Sequence, residues 1–386
     1  MNYFKAWRLV LLLAFVTVVN RAAIAGPPTI TNVTLIGSVP ELSISADVGT
    51  TNQVLTITNL TQTNWTVLAN LVVTQSVYQF ADTISTSGPQ RFYRVADPNW
   101  PADSPPFNMA MIPAGDFEMG NDFPNDLNAA QYELPVHTVY VSAFYMDKYE
   151  VSYALWTNVY NWGLSNGYSF DNPGAGKATN HPAQMVSWYD AIKWCNARSQ
   201  MEGLFVSYFT DSNLTQVYKT GDLAPFVNWD AGYRLPTEAE WEKADRGGAS
   251  GHRFPWTNTD TISHSQANYY ADTNTYSYDV SPTQGYNPAF VDGVMPYTSP
   301  IGSFAPNGYG LYDTAGNVWE WCWDYAGNYA SDTQTDPRGP STGTTRVGRG
   351  GNWNYYALDC RDSYRYGDSP TDTASNIGFR TARPVP

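Results

Sequence analysis

Hydrophobic and polar residues alternate in short runs along residues 26–97. Two examples are ELSISADV, which begins at Glu41, and VLTITNL, which begins at Val54; Gly, Asn and Pro interrupt such runs. Alternation with a period of two predicts strands with one buried face, and turn residues at this spacing are typical of a small sandwich. The run Arg91–Val95 predicts a last edge strand. We therefore predict a β-sandwich-like domain at 26–97, in the role of an adhesive or spacer module.

Further along the chain, two segments carry helical spacing. Ser187–Glu202 places apolar side chains three to four residues apart and begins with a good N-cap residue, Ser187. Thr237–Arg246 has Glu240 three residues after Thr237, which is the spacing of a capping box. The several acidic residues of this second segment predict a solvated helix on which only Trp241 is buried.

Outside these segments the pattern is mostly irregular. The runs Met109–Pro113 and Val136–Phe144 predict strands, whereas the chain after Gly247 is dominated by Gly, Asn, Pro, Trp and Tyr. Such loops need aromatic packing, bound metal or side-chain hydrogen bonds to hold them. We expect an α+β, loop-rich domain at 108–386, joined to the first domain by a proline-rich linker at 98–107.

The N-terminal segment predicts export. Lys5 and Arg8 form a basic region, Leu9–Val19 is an apolar run, and Ala23–Ala25 is a small-x-small cleavage site. The apolar run is too short for a bilayer, which takes about 20 residues. We expect a signal peptide at 1–25, a secreted or periplasmic mature protein, and no membrane span after cleavage.

Composition narrows the classes of function. Charged and aromatic residues each make up 15% of the chain, which argues against disorder, and the net charge of −14 argues against a nucleic-acid partner. The cysteines are three in number, Cys195, Cys322 and Cys360, so one disulfide at most can form and one thiol is left over. They show neither a C-x-x-C motif nor zinc-ligand spacing.

Eight motifs, taken in order, resemble the formylglycine-generating enzyme, or sulfatase-modifying factor, family. They are MIPAGDFEMG at 111–120, PVHTVYVSAFYMDKYEV at 135–151, HPAQMVSWYDAIKWC at 181–195, YRLPTEAEWEKADRGG at 233–248, FPW at 254–256, APNGYGLYDTAGNVWEW at 305–321, RVGRGGNW at 346–353 and NIGFR at 376–380. The resemblance covers about residues 108–384. It implies a variant of the C-type lectin fold with little regular structure.

The resemblance also implies two structural calcium sites. The donors of one would be Asp313 and Glu320 with the carbonyl oxygens of Gly316 and Val318; those of the other would be Asn268 and Asp292 with the carbonyl oxygens of Tyr269 and Val294. Calcium takes six to eight oxygen ligands in flexible geometry, which acidic turns of this kind supply.

The family's oxidases convert a sulfatase cysteine to formylglycine with molecular oxygen and a copper ion held by two cysteines. Here Tyr355 occupies the position of the first cysteine, and Cys360 resembles the family's further, structural cysteine. Copper(I) prefers soft thiolates, so a Tyr and a Cys make a poor site, and copper is not expected. Cys360 stays a weak catalytic candidate. Cys322 is either buried or paired with Cys360.

Two functions follow from this comparison. The first is a non-oxidase binding or accessory protein, whose loop 352–368 contacts a protein or glycan ligand. Tyr and Trp supply large rigid contact area and Asn supplies adaptable hydrogen bonds. The predicted binding residues are Asn352, Trp353, Asn354, Tyr355, Tyr356, Arg361 and Tyr364. The alternative is a formylglycine-generating oxidase that uses Cys360. The family's iron-dependent branch carries a separate histidine-rich helical domain. It is not expected here, because residues 26–107 are β-rich and contain no histidine.

Overall fold

The computed structural model describes residues 29–36, 39–45, 51–57, 66–72, 74, 77–83, 92–96, 106, 108–124 and 126–385. The predicted signal peptide lies outside these residues, as does the predicted linker apart from Pro106. The chain divides into two compact units, Met1–Pro101 and Ala102–Pro386. Within the described ranges, no helix has both the length and the apolar character that a membrane span needs.

The first unit contains two antiparallel sheets of three strands each, in the orders β1-β2-β5 and β4-β3-β6. Leu42 and Ile44 of one sheet and Val54 and Leu71 of the other share a buried core, so the sheets pack face to face. The predicted β-sandwich-like domain is confirmed, and its last strand lies at a sheet edge as expected. The strands are β1 (Thr29–Ile36), β2 (Val39–Ser45), β3 (Thr51–Ile57), β4 (Thr66–Val72), β5 (Val77–Ala81) and β6 (Phe92–Ala96).

The second unit is α+β and loop-rich, as predicted, and its described residues include three α-helices and many short strands. The helices are α1 (Tyr153–Ser165), α2 (Trp188–Met201) and α3 (Glu238–Asp245). The strands are β7 (Met109–Ile112), β8 (Gly115–Met119), β9 (His137–Val141), β10 (Phe144–Asp147), β11 (Tyr208–Phe209), β12 (Phe226–Val227), β13 (Tyr270–Ala271), β14 (Gly285–Tyr286), β15 (Trp319–Tyr325), β16 (Gln334–Thr335), β17 (Arg346–Arg349), β18 (Tyr366–Asp368), β19 (Ile377–Gly378) and β20 (Ala382–Pro384). Two helices were expected; α1 carries no strong pattern and was missed.

Aromatic packing between α1 and α2 forms the largest core. The indole rings of Trp156 and Trp194 stack with centroids 5.9 Å apart and planes within 4°. The Trp194 indole N–H donates to the Trp156 carbonyl oxygen at 3.0 Å. Helix α2 begins as predicted, because the Ser187 hydroxyl oxygen accepts from the Asp190 N–H at 3.1 Å. These contacts take the place of long hydrogen-bonded ladders in a chain of short strands.

Helix α3 differs from its prediction. Its capping box is present, with the Thr237 hydroxyl and the Glu240 carboxylate each accepting from the other residue's backbone N–H. The expected solvated face is wrong: Glu238, Glu240 and Glu242 are all buried. Each carboxylate pairs with an arginine: Glu238 with Arg365, Glu240 with Arg234 just before the helix, and Glu242 with Arg246 and the distant Arg349. Such pairing offsets the cost of removing the charge from water. The acidic side of α3 is therefore a core face.

The sheet of order β18-β17-β15-β19 positions the C-terminal motifs. Strands β17 and β18 are adjacent and antiparallel, so the ends of residues 350–365, the loop between them, are fixed close together. Strand β15 pairs with β17 on one side and with β19, in parallel, on the other. The motifs GNVWEW, RVGRGG and NIGFR, far apart in sequence, thus meet in one sheet beneath that loop.

The N-cap of α2 gives a direct test of this assignment. Ser187→Ala removes the hydroxyl that accepts from Asp190 and should lower the free energy of unfolding by about 1 kcal/mol. Urea unfolding followed by tryptophan fluorescence measures the change. Ser165→Ala, which removes an exposed hydroxyl bonded to the Asn161 carbonyl oxygen, is the control and should have a smaller effect. Equal effects would contradict the capping role.

Candidate functional site: an aromatic surface beside two acidic loops

The loop 350–365 begins with two glycines that the backbone requires. Gly350 and Gly351 have φ angles of 93° and 77°, in the left-handed region. A Cβ on Gly351 would lie 2.8 Å from the Cys360 sulfur and 3.0 Å from the Asp359 carbonyl oxygen. Residues 359–360 of the loop therefore pack against its first residues, and residues 354–356 between them face solvent.

Six tyrosines and Asn354 form the tyrosine surface around this turn: Tyr270, Tyr276, Tyr286, Tyr297, Tyr355 and Tyr356. The pairing of β13 with β14 sets Tyr270 opposite Tyr286, with ring centroids 4.8 Å apart. The Tyr286 hydroxyl donates to the Asn354 side-chain oxygen at 3.0 Å. Tyr355 and Tyr356 remain 38% and 42% exposed. The result is a rigid aromatic face with polar groups at its edge.

The predicted binding residues divide between this surface and the core. Asn354, Tyr355 and Tyr356 are exposed, whereas Asn352, Trp353 and Arg361 are buried. The Trp353 indole N–H donates to the Ser375 carbonyl oxygen at 3.1 Å. The Arg361 guanidinium donates to both Glu133 carboxylate oxygens, at 2.9 and 2.6 Å. Three of the seven residues thus hold the loop in place and have no surface to offer a ligand.

Tyr364, the last of the seven, is half-buried beneath the loop. Its ring stacks on Trp319 with centroids 5.9 Å apart, and Tyr366 also stacks on that indole at 5.3 Å. Tyr355 contacts the same indole at 6.3 Å. Trp319 therefore connects the central sheet to the exposed turn.

Asp313 and Glu320 of the motif DTAGNVWE form a buried acidic cluster with Glu150. Glu320 accepts from Arg380 at both carboxylate oxygens, each at 2.6 Å. Glu150 accepts from the Asn317 side chain at 2.6 Å, and Asp313 has one buried oxygen without a hydrogen-bond partner among the described residues. Burial, followed by the neighbouring carboxylates, raises the pKa of Glu150 well above its usual range; burial raises the pKa of Asp313 to about 6. Three acids thus face one arginine, which leaves uncompensated negative charge.

The backbone around this cluster turns tightly. Asp313 and Asn317 have positive φ, and a Cβ on Gly316 would lie 2.3 Å from the Asn268 carbonyl oxygen. A cavity of about 150 Å³ reaches Asp313. In the described ranges, no group of three or more His, Cys, Asp or Glu side chains is placed to hold a metal ion. A cation here would need carbonyl oxygens too, such as the predicted ones of Gly316 and Val318.

Glu150 was missed at the sequence level, although it lies in the quoted motif ending DKYEV. It precedes Asp313 by more than 160 residues, and spacing along the chain cannot link them. The Val318 N–H lies 3.3 Å from a Glu150 carboxylate oxygen, which places Glu150 beside the predicted ligand residues. Backbone hydrogen bonds from Tyr312 N–H to the Lys148 carbonyl oxygen and from Val151 N–H to the Phe379 carbonyl oxygen hold its segment there.

At the second predicted calcium site, a lysine side chain lies among the predicted ligands. The Lys177 ammonium donates to Asp292 at 2.7 Å and to the Val294 carbonyl oxygen at 3.0 Å. The Asn268 side-chain amide donates to the Tyr297 carbonyl oxygen, and the His264 ring nitrogen Nε2 lies 3.2 Å from the Tyr269 carbonyl oxygen. The residues present do not fit a metal ion, because a lysine already holds two of the four predicted donors.

The three cysteines are free and buried. Cys360 is 1% exposed, and burial, with a smaller contribution from nearby Asp359, raises its thiol pKa well above the usual value. Burial likewise raises the pKa of Cys322 and Cys195. Of the two alternatives for Cys322, burial holds and pairing with Cys360 does not. A reactive cysteine needs an accessible thiolate. These three thiols are buried, and their raised pKa disfavours the thiolate.

Comparison with known proteins now places the chain in a family. A sequence profile described as the sulfatase-modifying factor enzyme 1-like domain matches residues 96–385. The chain belongs to this family. The formylglycine-generating enzyme of Mus musculus is 35% identical over 321 residues, which are 77% of this chain and 82% of the mouse protein. The family's C-type-lectin-like fold, predicted above, is confirmed.

Two further relatives have other descriptions. A chaperone protein, LppX, of Paenibacillus barcinonensis is 32% identical over 225 residues, which are 56% of this chain and 71% of that protein. The solved structure of Treponema denticola variable protein 1 has a TM-score of 0.54 and 29% identity, and the match covers 72% of this chain and 94% of that chain. Sulfatase-modifying-factor-like domains therefore occur in proteins with several descriptions.

The burial of the cysteines yields a second prediction. The native protein should show no reaction with a thiol reagent such as DTNB within minutes, and the denatured, unreduced protein should show three thiols per chain. Cys360→Ser should reduce the denatured count by one. A single thiol in the denatured wild type would contradict the free state of Cys322 and Cys360.

Proposed function

We propose that the protein is a non-oxidase binding or accessory member of the sulfatase-modifying factor family, and that the tyrosine surface contacts its ligand. One observation carries the proposal: exposed Tyr355 occupies the position of the family's first active cysteine, while Cys360 is buried with a raised thiol pKa. The pair of accessible thiolates that copper chemistry needs is therefore missing.

The composition of the surface supports contact with a protein or glycan. Tyrosine rings lose little conformational entropy on binding and offer both an apolar face and a hydroxyl. Ring contacts hold the half-buried tyrosines Tyr270 and Tyr286 in place before any ligand arrives. Pre-organised side chains of this kind reduce the entropic cost of association.

The relatives also support a role other than oxidation. A chaperone protein and a variable protein share the domain with formylglycine-generating enzymes. The fold thus supports different functions, and residues at the site must decide between them. At this site they favour binding.

The tyrosine surface can be tested by substitution. Tyr355→Ala and Tyr356→Ala should each weaken binding to whichever glycan or peptide of an immobilised panel the wild type retains, by about thirtyfold for a central contact worth about 2 kcal/mol. Surface plasmon resonance gives the dissociation constants. Phe205→Ala removes a 78% exposed aromatic ring outside the tyrosine surface and should leave affinity unchanged. Unchanged affinity in both tyrosine variants would contradict the proposal.

The alternative function is a formylglycine-generating oxidase that uses Cys360. Incubation with a C-x-P-x-R peptide, copper and oxygen separates the two functions by mass spectrometry. We expect the peptide thiol to be retained. Conversion that is lost in Cys360→Ser would establish the oxidase in place of the binding role.

We also propose one structural calcium ion at the acidic cluster, held by Asp313 and Glu320 with the carbonyl oxygens of Gly316 and Val318, beside the Glu150 carboxylate. The uncompensated carboxylates and the unpartnered Asp313 oxygen support it. A bound calcium ion supplies positive charge and has no redox role. The chain's own residues orient the turn beneath the central sheet.

Calcium binding should stabilise the metal-stripped protein. At a calcium concentration of about 100 Kd the gain is about 2.7 kcal/mol, which calorimetry reports as a melting temperature several degrees higher. Glu150→Gln removes one carboxyl group from the cluster and should abolish most of the increase. Glu118→Gln, whose carboxylate accepts from Thr138 in an exposed position, is the matched control. No increase in the wild type would contradict the calcium site.

Export also stays a proposal. The basic, apolar and small-x-small regions of residues 1–25 support cleavage after Ala25 and a secreted or periplasmic mature protein.

A further inference from the structure

We infer that the ammonium group of Lys177 takes the place of a metal ion in the loop 291–297. It holds this loop, which forms one edge of the tyrosine surface, by hydrogen bonds alone. Three oxygens converge on the ammonium nitrogen. They are the Asp292 carboxylate oxygen at 2.7 Å and the carbonyl oxygens of Val294 and Pro296, each at 3.0 Å. Lysine has three N–H donors, so each oxygen receives one.

The geometry leaves no room for a calcium ion among these oxygens. Calcium requires six to eight oxygen ligands at 2.3–2.6 Å. The Lys177 side chain is 18% exposed, so it is packed in the loop and its charge is only partly hydrated. The two other predicted donors, Asn268 and the Tyr269 carbonyl oxygen, have contacts of their own with Tyr297 and His264.

Charge balance favours the same conclusion. Asp292 brings one negative charge to the loop, and Lys177 brings one positive charge. The hydrogen bond from Lys177 is the largest cause that lowers the pKa of Asp292. The acidic cluster at Glu150 has an excess of carboxylates, whereas here one ammonium offsets one carboxylate.

This tether, formed by the hydrogen bonds from Lys177, determines which side chains the loop 291–297 exposes. Val294 and Met295 at its tip are 68% and 59% exposed. Tyr297 at its end packs against Tyr286 and Trp353, with centroids 5.0 and 5.7 Å away. The Lys177 ammonium also lies 5.4 Å from the Tyr297 ring centroid. A lysine in the segment between α1 and α2 thereby fixes an apolar edge of the tyrosine surface at any calcium concentration.

Hydrogen exchange of the full chain tests the tether directly, and it needs no knowledge of the ligand. In the wild type, peptides covering residues 291–297 should exchange at the same rate in millimolar calcium and in EGTA. In Lys177→Met, which keeps the side-chain length and removes the charge, their exchange should be faster by about tenfold. Asp292→Asn, which removes the carboxylate partner, should change exchange in the same direction.

Lys219→Met is the matched control. Its ammonium donates to a single carbonyl oxygen, that of Asn166, and lies over the Tyr168 ring, so its loss should leave residues 291–297 unchanged. Calcium-dependent slowing of exchange at 291–297 in the wild type would overturn the inference, as would equal exchange in Lys177→Met and Lys219→Met. Failure of the calcium proposal would appear instead at residues 313–320, so the two outcomes are distinct.

Discussion

Buried ion pairs between glutamates and arginines hold the second unit together. Glu242 on α3 pairs with Arg246 on the next turn and with Arg349 at the end of β17. Glu238 on the same helix receives the Arg365 guanidinium at 2.5 and 2.6 Å. Removing one partner of such a pair leaves an uncompensated charge in the core and typically costs about 3–5 kcal/mol. The loop 350–365 is therefore fixed at both ends by one short helix.

That constraint explains how a loop without regular structure can form a defined surface. The arginines anchor its ends and the double glycine turns its start. Buried Asn352 and Trp353 occupy the space between. Only the middle of the loop is left to face solvent, and the tyrosines of β13 and β14 pack against it. Tyr355 is exposed at this turn and the Cys360 thiol lies in the core, which is why we propose binding rather than thiol chemistry here.

The two acidic turns beside this surface balance their charge differently. The cluster of Glu150, Asp313 and Glu320 has more carboxylates than Arg380 can neutralise, which is why we propose a bound cation there. At the turn of Asp292, the Lys177 ammonium supplies the positive charge. A permanent side-chain charge does not depend on ion concentration, whereas a metal ligand set does. One part of the fold is thus proposed to require calcium, and the other is proposed to be independent of it.

The sequence by itself determined the fold class, the family and the helices α2 and α3 with their caps, because periodicity, capping and motif order are local signals. It failed where long-range packing decides. The local pattern of α3 predicted solvated acids, because it does not show that Arg349 and Arg365 pair with Glu242 and Glu238. Trp353 and Arg361 were predicted at the surface, whereas the fold buries both side chains. Glu150 and Lys177 joined their sites for the same reason: only tertiary structure brings together groups that are more than 100 residues apart, and burial then decides which of them must be paired.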